Sequence, residues 1–520
     1  MNTLFAGPYR TENSSASERH RDFLAIGIIG LYCIAYASTR LLISHSMELS
    51  EAEQYLDASV FSFGYRQQAP LYSWIVRAAA ALFGMNVVTI TGVKYSLLFL
   101  FYLFLFLLAR NLWDSRKSLI VTGSMLIFPT FSYEVHRDLT HTVLVSLIAV
   151  IICFLYLRML REAKRGYYLL AGTLVGMGVL SKYNFIFFLA AFMLAILCSR
   201  EGRRVLFDRR IFLSVICAFL VLLPHFVWLV QENFMSAHYA LTRSRTSGLT
   251  LSAPFRIFYI IGITYLEVLI FLLVTVVFFR LSIFKSNKED PLSGLFRQLA
   301  IFGLIGPLIV ILLLRTDNFS SRWLAPFLFA LPFAIFSALK PDRGKETFRL
   351  FGLLCAFVAV SVLAVRAFIG FSPDTAGKVE RIHIPYKALS QQLVERLGEK
   401  GIRDVRNLVI IAEVRDDYVA ANLMAWMPTK KFVRLRDFAS DRSVQDDVME
   451  KGGIFICHIA GNGIKTLEKF IAEFSPGSSI AMLKSPYLHS QKLAPYVLGA
   501  VIIPKREIRV TDRSPLFYQL

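Results

Sequence analysis

Residues Met47–Trp74 of this 520-residue chain read MELSEAEQYLDASVFSFGYRQQAPLYSW and place Glu48, Glu51, Glu53 and Asp57 directly after a first apolar run. Carboxylates are scarce in the first half of the chain, most of which is hydrocarbon-like. Acids clustered at the edge of such a body suit general-base chemistry, in which a carboxylate takes the proton of an attacking hydroxyl. Ser50-Glu51-Ala52-Glu53 fits a capping box, with Ser50 as the N-cap and Glu53 reaching back to it. Glu51 then sits in the first helical turn, free to point elsewhere, and is the first choice for the base, with Glu53 next. Glu48 and Asp57 read as solvated or interfacial. Tyr65, Arg66 and Gln68 belong to a polar turn before Leu71-Tyr72-Ser73-Trp74, whose rings suit the headgroup level of a membrane.

Three other polar segments interrupt apolar sequence. Tyr133–His141 holds Glu134, His136, Arg137, Asp138 and His141. Asp138 is the carboxylate to pair with Glu51. His136 and His141 are weak candidates for a divalent metal, because their spacing is not a recognised zinc signature; a metal-free hydrogen-bonding loop is the plainer reading. Arg315 and Arg322 flank the next segment. A guanidinium matches phosphate oxygens bidentately, headgroup contact being the alternative. Lys182 breaks the apolar stretch 167–198, which is too long for one span and too short for two. Two short helices meeting at Lys182 keep both Arg-rich flanks on one side and set the lysine at the tip. A cation there is costly and points to function unless it snorkels to the headgroups. Carboxylates, a lysine and arginines beside lipid suit a substrate with a phosphate head and an apolar tail. A base activates the acceptor hydroxyl, and cations stabilise the leaving phosphate.

The elements that must position these residues are membrane helices. The chain is 55% hydrophobic, too apolar for an ordinary soluble protein. Its net charge of +20 bunches between apolar runs rather than along one polar face, which argues for cytoplasmic loops and against nucleic acid. Apolar runs fall at about 23–43, 88–109, 118–131, 140–157, 167–181, 183–198, 211–230, 255–279, 295–314, 323–339 and 350–371. With the N-terminus inside, they alternate as about eleven or more transmembrane helices. Loops 44–87, 131–140, 231–254 and 315–322 then lie outside, together with everything after about residue 372. The polar segment before Phe23 leaves no room for an apolar leader, so 23–43 reads as an anchor that stays. The six cysteines, five of them inside apolar runs, read as packing residues.

The tail is different in kind. Asn407–Glu413, Gly453–Ile459, Ser479–Leu483 and Ala500–Pro504 read as buried strands, and Pro385–Lys400 and Ile464–Phe474 as amphipathic helices. The expected fold is therefore mainly α: a polytopic membrane domain over 1–371, with an extracytoplasmic loop at 44–87, followed by a soluble α/β domain over 372–520.

On Ser50-Glu51-Ala52-Glu53, Gly64-Tyr65-Arg66-Gln67-Gln68-Ala69-Pro70-Leu71-Tyr72-Ser73-Trp74, Leu180-Ser181-Lys182-Tyr183 and Pro224-His225-Phe226-Val227-Trp228, the chain resembles the polytopic GT-C glycosyltransferases that use polyprenyl-phosphate sugars. It is most similar to the family 39/83-like branch, related to protein mannosyltransferases and the aminoarabinose transferase of lipid A. The resemblance covers about 23–340. Glu51-Ala52-Glu53-Gln54 and Asp138–Thr142 are also similar to rhizobial lipopolysaccharide sugar transferases, some of which move galacturonic acid. The chain departs from the family at two places. Ser50 stands where the family carries its leading aspartate, and Thr140-His141-Thr142 stands where Thr-Pro-Asp is common.

The resemblance implies an inner-membrane enzyme, active on the periplasmic face. It implies transfer of a sugar, galacturonic acid being one such, from a polyprenyl phosphate to lipopolysaccharide core, lipid A or another lipid or glycolipid acceptor, with inversion. Glu51, Glu53 and Asp138 are then catalytic, Lys182, Arg315 and Arg322 hold the donor phosphate, and Tyr65, Arg66 and Gln68 contact substrate. The competing reading is a polyprenyl-lipid transporter or flippase. Transporters often show inverted repeats, and none is visible.

Overall fold

The structure, a computed structural model, describes all residues except 1–15, 66–67, 233, 235–252, 280–290, 315–320, 339–344, 403, 414–415, 430, 460–462 and 506–520. The expected sites Arg66 and Arg315 lie outside the described residues. The chain forms two compact units. The first takes residues 1–38, 62–75 and 92–364, and the second takes 39–61, 76–91 and 365–520.

The first unit is helical. Each of the eleven apolar runs is occupied by helix. Among the described residues seven helices are long and apolar enough to cross a membrane, or eight if the pair Ser115–Ile127 and Thr130–Arg137, bent by 86°, is one span. The bend falls at Pro129, which lacks the N–H that would continue the ladder. Leu71–Phe83, Phe185–Leu197 and Ala325–Ala338 are apolar but shorter.

The tightest helix pair is Arg165–Ser181 against Ile211–Gln231. A β-carbon on Gly172 would lie 2.1 Å from the Ser214 carbonyl oxygen, and one on Gly176 would lie 2.8 Å from Val221. Gly172 and Gly176 form the small-xxx-small pattern that lets membrane helices approach backbone to backbone. The Ser214 hydroxyl donates to the Tyr168 carbonyl at 2.6 Å across the same contact.

The second unit contains a five-stranded sheet of order β2-β1-β3-β5-β4, with β1 Val409–Ala412, β2 Lys431–Arg434, β3 Gly453–His458, β4 Ile480–Ser485 and β5 Tyr496–Ile503. β1 pairs in parallel with β2 and β3, and β5 runs antiparallel to β3 and β4. Val409, Ile411, Phe455, Cys457, Val501 and Ile503 form one core with Phe438, Val448, Leu467 and Phe470 from the covering helices. The alternate residues Ile410, Ile454, Ile456, Ala500 and Ile502 are buried as well. A sheet covered on both faces explains why these strands read as unbroken apolar runs. β2 escaped the sequence reading because Lys431–Arg434 is a half-buried edge strand bearing charge. The same unit includes the Leu49–Ser59 helix, docked on the Asp417–Trp426 helix: the Tyr55 hydroxyl donates to the Met424 carbonyl at 3.2 Å.

Candidate active site

In the first unit the Arg165–Ser181 helix ends at Lys182, whose extended backbone breaks the helical path, and Phe185–Leu197 starts immediately after it. The expected pair of short helices meeting at Lys182 is therefore present. Gly178 makes the turn feasible, since a β-carbon there would lie 2.4 Å from the Phe185 ring. Lys182 Nζ donates to Thr142 Oγ1 at 2.9 Å, and His141 Nδ1 donates to the Ser181 carbonyl at 3.0 Å. Asn184 Nδ2 donates to the Trp323 carbonyl at 3.5 Å. These bonds join the start of the Thr140–Arg161 helix, the break at 181–184 and the Ser321–Trp323 turn. Lys182 is half-buried and lies within electrostatic reach of Arg322.

The segment before Thr140 is conformationally unusual. A π-helical turn, Thr130–Glu134, runs into Val135–Arg137, and Leu139 then adopts φ 67°. A left-handed leucine costs about 1–3 kcal/mol and marks a backbone held by its surroundings. It follows Asp138, which is buried. Arg137 and Arg322 both donate to Glu134 Oε2, at 3.1 and 3.2 Å. One carboxylate thus serves two guanidiniums close to a lysine, a grouping of cationic donors of the kind that binds anions.

The metal candidates are otherwise engaged. His136 is buried, bonded to the Tyr32 hydroxyl at 2.6 Å and the Tyr95 hydroxyl at 3.2 Å, and stacked on Tyr36 at 3.7 Å between ring centroids. It is an aromatic-core histidine. His141 is spent on the Ser181 carbonyl and a tilted contact with Tyr72. Among the described residues no group of three or more His, Cys, Asp or Glu could hold a metal ion.

Three segments that carried the family resemblance converge. His225 Nδ1 donates to the Phe63 carbonyl at 2.7 Å, and its Nε2 accepts from the Tyr183 hydroxyl at 3.2 Å. The Trp228 ring lies where a β-carbon on residue 64 would be, 2.1 Å away, so that position must be glycine. Trp74 Nε1 donates to the Ser62 carbonyl at 2.8 Å and closes the 62–74 loop. Within it Tyr65 is buried and Gln68 half-buried.

The carboxylate helix Leu49–Ser59 belongs to the second unit, and four expectations about it are corrected. Its N-cap is Glu48, not Ser50, and the capping box pairs Glu48 with Glu51 rather than Ser50 with Glu53. Glu51 is therefore not free to point elsewhere. Its Oε2 accepts from the Glu48 N–H at 3.0 Å and from Arg40 at 2.6 Å, with both side chains of that ion pair at most 3% exposed. Arg40 also donates to the carbonyls of Ser44 and Ser46. Glu48 is buried rather than solvated.

Glu53 and Asp57 are half-buried on the same helix. Burial pushes the Asp57 carboxyl up to about 7, against the opposing Arg434 and with Glu53 and Asp417 adding to the rise. Asp417, ion-paired to Arg434 at 2.8 Å, is pushed by burial to about 6. Asp57 is thus a desolvated acid rather than an interfacial one.

Among the charged residues inside apolar runs not singled out from the sequence, two are buried in helices of the first unit. Lys94 is fully buried in the Val87–Ala109 helix, and Glu267 is 4% exposed in Ala253–Phe279. Each is the lone charge near the middle of a span, which is the signal that would have found it.

Comparisons with known proteins agree with this architecture. A family profile described as "Dolichyl-phosphate-mannose-protein mannosyltransferase" matches residues 67–228. The lipopolysaccharide core galacturonosyltransferase RgtB of Rhizobium johnstonii is 32% identical over 378 residues, covering 70% of this chain and 76% of the relative. RgtA of the same organism, with the same description, is 25% identical over 409 residues, covering 77% and 80%. Among solved structures, ArnT from Cupriavidus metallidurans in the apo state superposes with a TM-score of 0.55 at 12% identity, over 90% of this chain and 97% of that one. The same protein bound to undecaprenyl phosphate gives 0.53 at 12% identity, over 92% and 97%. The chain is a multi-pass membrane glycosyltransferase of the GT-C fold and belongs to the family that includes the rhizobial lipopolysaccharide core galacturonosyltransferases.

Proposed function

We propose that the protein transfers a hexuronic acid, galacturonic acid in the simplest case, from a polyprenyl phosphate to lipopolysaccharide core, lipid A or a related envelope acceptor. The reaction is placed on the periplasmic face of a bacterial inner membrane, with 1–371 as the membrane domain and 372–520 as a periplasmic one. The observation that carries the reading is the kinship to two proteins described as lipopolysaccharide core galacturonosyltransferases. The solved neighbour bound to undecaprenyl phosphate supports the class of donor, and so does the Lys182–Arg322 site.

In this reading Lys182 and Arg322 hold the donor phosphate, with Arg315, while Tyr65, Arg66 and Gln68 contact the sugar or acceptor. A carboxylate removes the acceptor hydroxyl proton as its oxygen attacks the anomeric carbon. The bond from that carbon to the phosphate oxygen breaks on the opposite face, so configuration inverts. Polyprenyl phosphate leaves as a weak base and needs no general acid; the cations balance the charge that develops on it. Asp138 is assigned as the base because it belongs to the same body as Lys182 and Arg322. Glu51 is the alternative, which Arg40 would have to release, and Glu53 the third.

Mass spectrometry of envelope lipids from a deletion strain tests the reading. Lipopolysaccharide lacking one hexuronic residue, restored by the wild-type gene, is the expected result. An unchanged hexuronic content, with loss of a neutral sugar instead, would contradict it.

A further inference from the structure

Glu267 has no role in the reaction as drawn, yet it is a carboxylate in a helix long and apolar enough to cross a membrane, where charge is costly. Its Oε2 accepts from the Thr130 backbone N–H at 3.2 Å. That N–H opens the π-helical turn just after Pro129. The next two N–H groups, of Phe131 and Ser132, both bond to the Phe128 carbonyl at 2.9 and 3.0 Å. Glu267 thus satisfies the donor that the bend at Pro129 strands.

The helix bearing Glu267 also supports the other half of the arginine–glutamate pair. Ile260 of that helix forms a hydrophobic cluster with Ile311, and Ile261, Tyr265 and Trp323, the neighbour of Arg322, pack against it. One helix therefore fixes both the turn that carries Glu134 and the turn that carries Arg322, whose side chains meet at 3.2 Å.

We propose that Glu267 is a positioning residue: by latching the Thr130 amide to its helix, it sets Glu134 and Asp138 in register with Arg322 and so shapes the donor-phosphate subsite. The inference rests on the reading of Lys182 and Arg322 as that subsite. Its physical content is reach, not charge. Glutamine keeps an acceptor oxygen at the same distance. Aspartate keeps the charge but is one carbon–carbon bond, about 1.5 Å, too short.

The test uses full-length protein in lipid, with undecaprenyl phosphate binding as probe, donor and acceptor KM in the transfer assay, and hydrogen exchange of residues 130–138. Glu267→Gln is expected to stay within about twofold of wild type. Glu267→Asp is expected to weaken undecaprenyl phosphate binding and raise donor KM about tenfold, the scale of one misplaced charged hydrogen bond, with acceptor KM unchanged. It should also speed exchange at 130–138. A wild-type Glu267→Asp, equal loss in both variants, or unaltered exchange would overturn the proposal. Faster exchange without a donor effect overturns it as well if Arg322→Ala does raise donor KM. If neither Glu267→Asp nor Arg322→Ala moves donor KM, the subsite reading has failed instead.

Discussion

At the scale of single residues, the charged groups differ in what they hold. Glu51 is committed: it forms a buried ion pair with Arg40. Removing one partner of such a pair costs about 3–5 kcal/mol because the other charge stays buried alone. Glu51→Ala should therefore lower the unfolding midpoint in detergent strongly, and an Arg40→Leu, Glu51→Leu double variant should recover much of the loss. Lys182 and Arg322 are half-buried cations of the first unit, close to each other at the 181–184 break and the Ser321–Trp323 turn. Alanine at either should raise donor KM about tenfold or more, the scale of a charged hydrogen bond, while leaving the unfolding midpoint nearly unchanged. Asp57 gives a pH signature. It stays protonated to about 7 in the fold but ionises near 4 when unfolded. Between those values the native state holds the extra proton, so stability falls as pH rises from about 4 to about 7 and is level above. Asp57→Asn should remove this slope, and its gain in melting temperature over wild type should be larger at pH 8 than at pH 5.

At the scale of elements, much was legible and the gaps have physical causes. The eleven apolar runs are helical, and among the described residues seven helices, or eight with the bent pair, are long and apolar enough to cross a membrane. The break at Lys182 was visible as a length mismatch. The cap of the Leu49–Ser59 helix was misplaced by two residues because Glu48-x-x-Glu51 and Ser50-x-x-Glu53 overlap, and cap propensity favours serine; Arg40, eleven residues upstream of Glu51, decided the register. No local pattern reports such a partner. The convergence of Phe63, Tyr183 and His225 was equally hidden, since those residues are brought together only by helix packing. The glycines of that packing make the element-scale prediction. Gly172→Ala sets a β-carbon against an unyielding backbone oxygen and should cost about 1–3 kcal/mol of stability, read by thermal unfolding. Gly178→Ala meets the Phe185 ring and should open the turn at Lys182, so transfer should fall more than stability does.

At the scale of the whole molecule, the chain comprises a helical unit and a second unit that contains the five-stranded sheet. The proposed topology has the N-terminus inside and residues 372–520 in the periplasm, as the positive-inside rule expects from the charge pattern. A periplasm-dependent phosphatase fused after Phe371 should be active, whereas one fused within Arg200–Arg210 should not. The central claim is transfer of an acidic sugar from a lipid phosphate, and purified protein with a labelled polyprenyl-phosphate galacturonic acid and lipopolysaccharide acceptor tests it most directly. The account predicts label on the acceptor with inverted configuration, one polyprenyl phosphate released per sugar moved, and loss of transfer in Asp138→Asn. Movement of the donor across the bilayer with no labelled acceptor would contradict it.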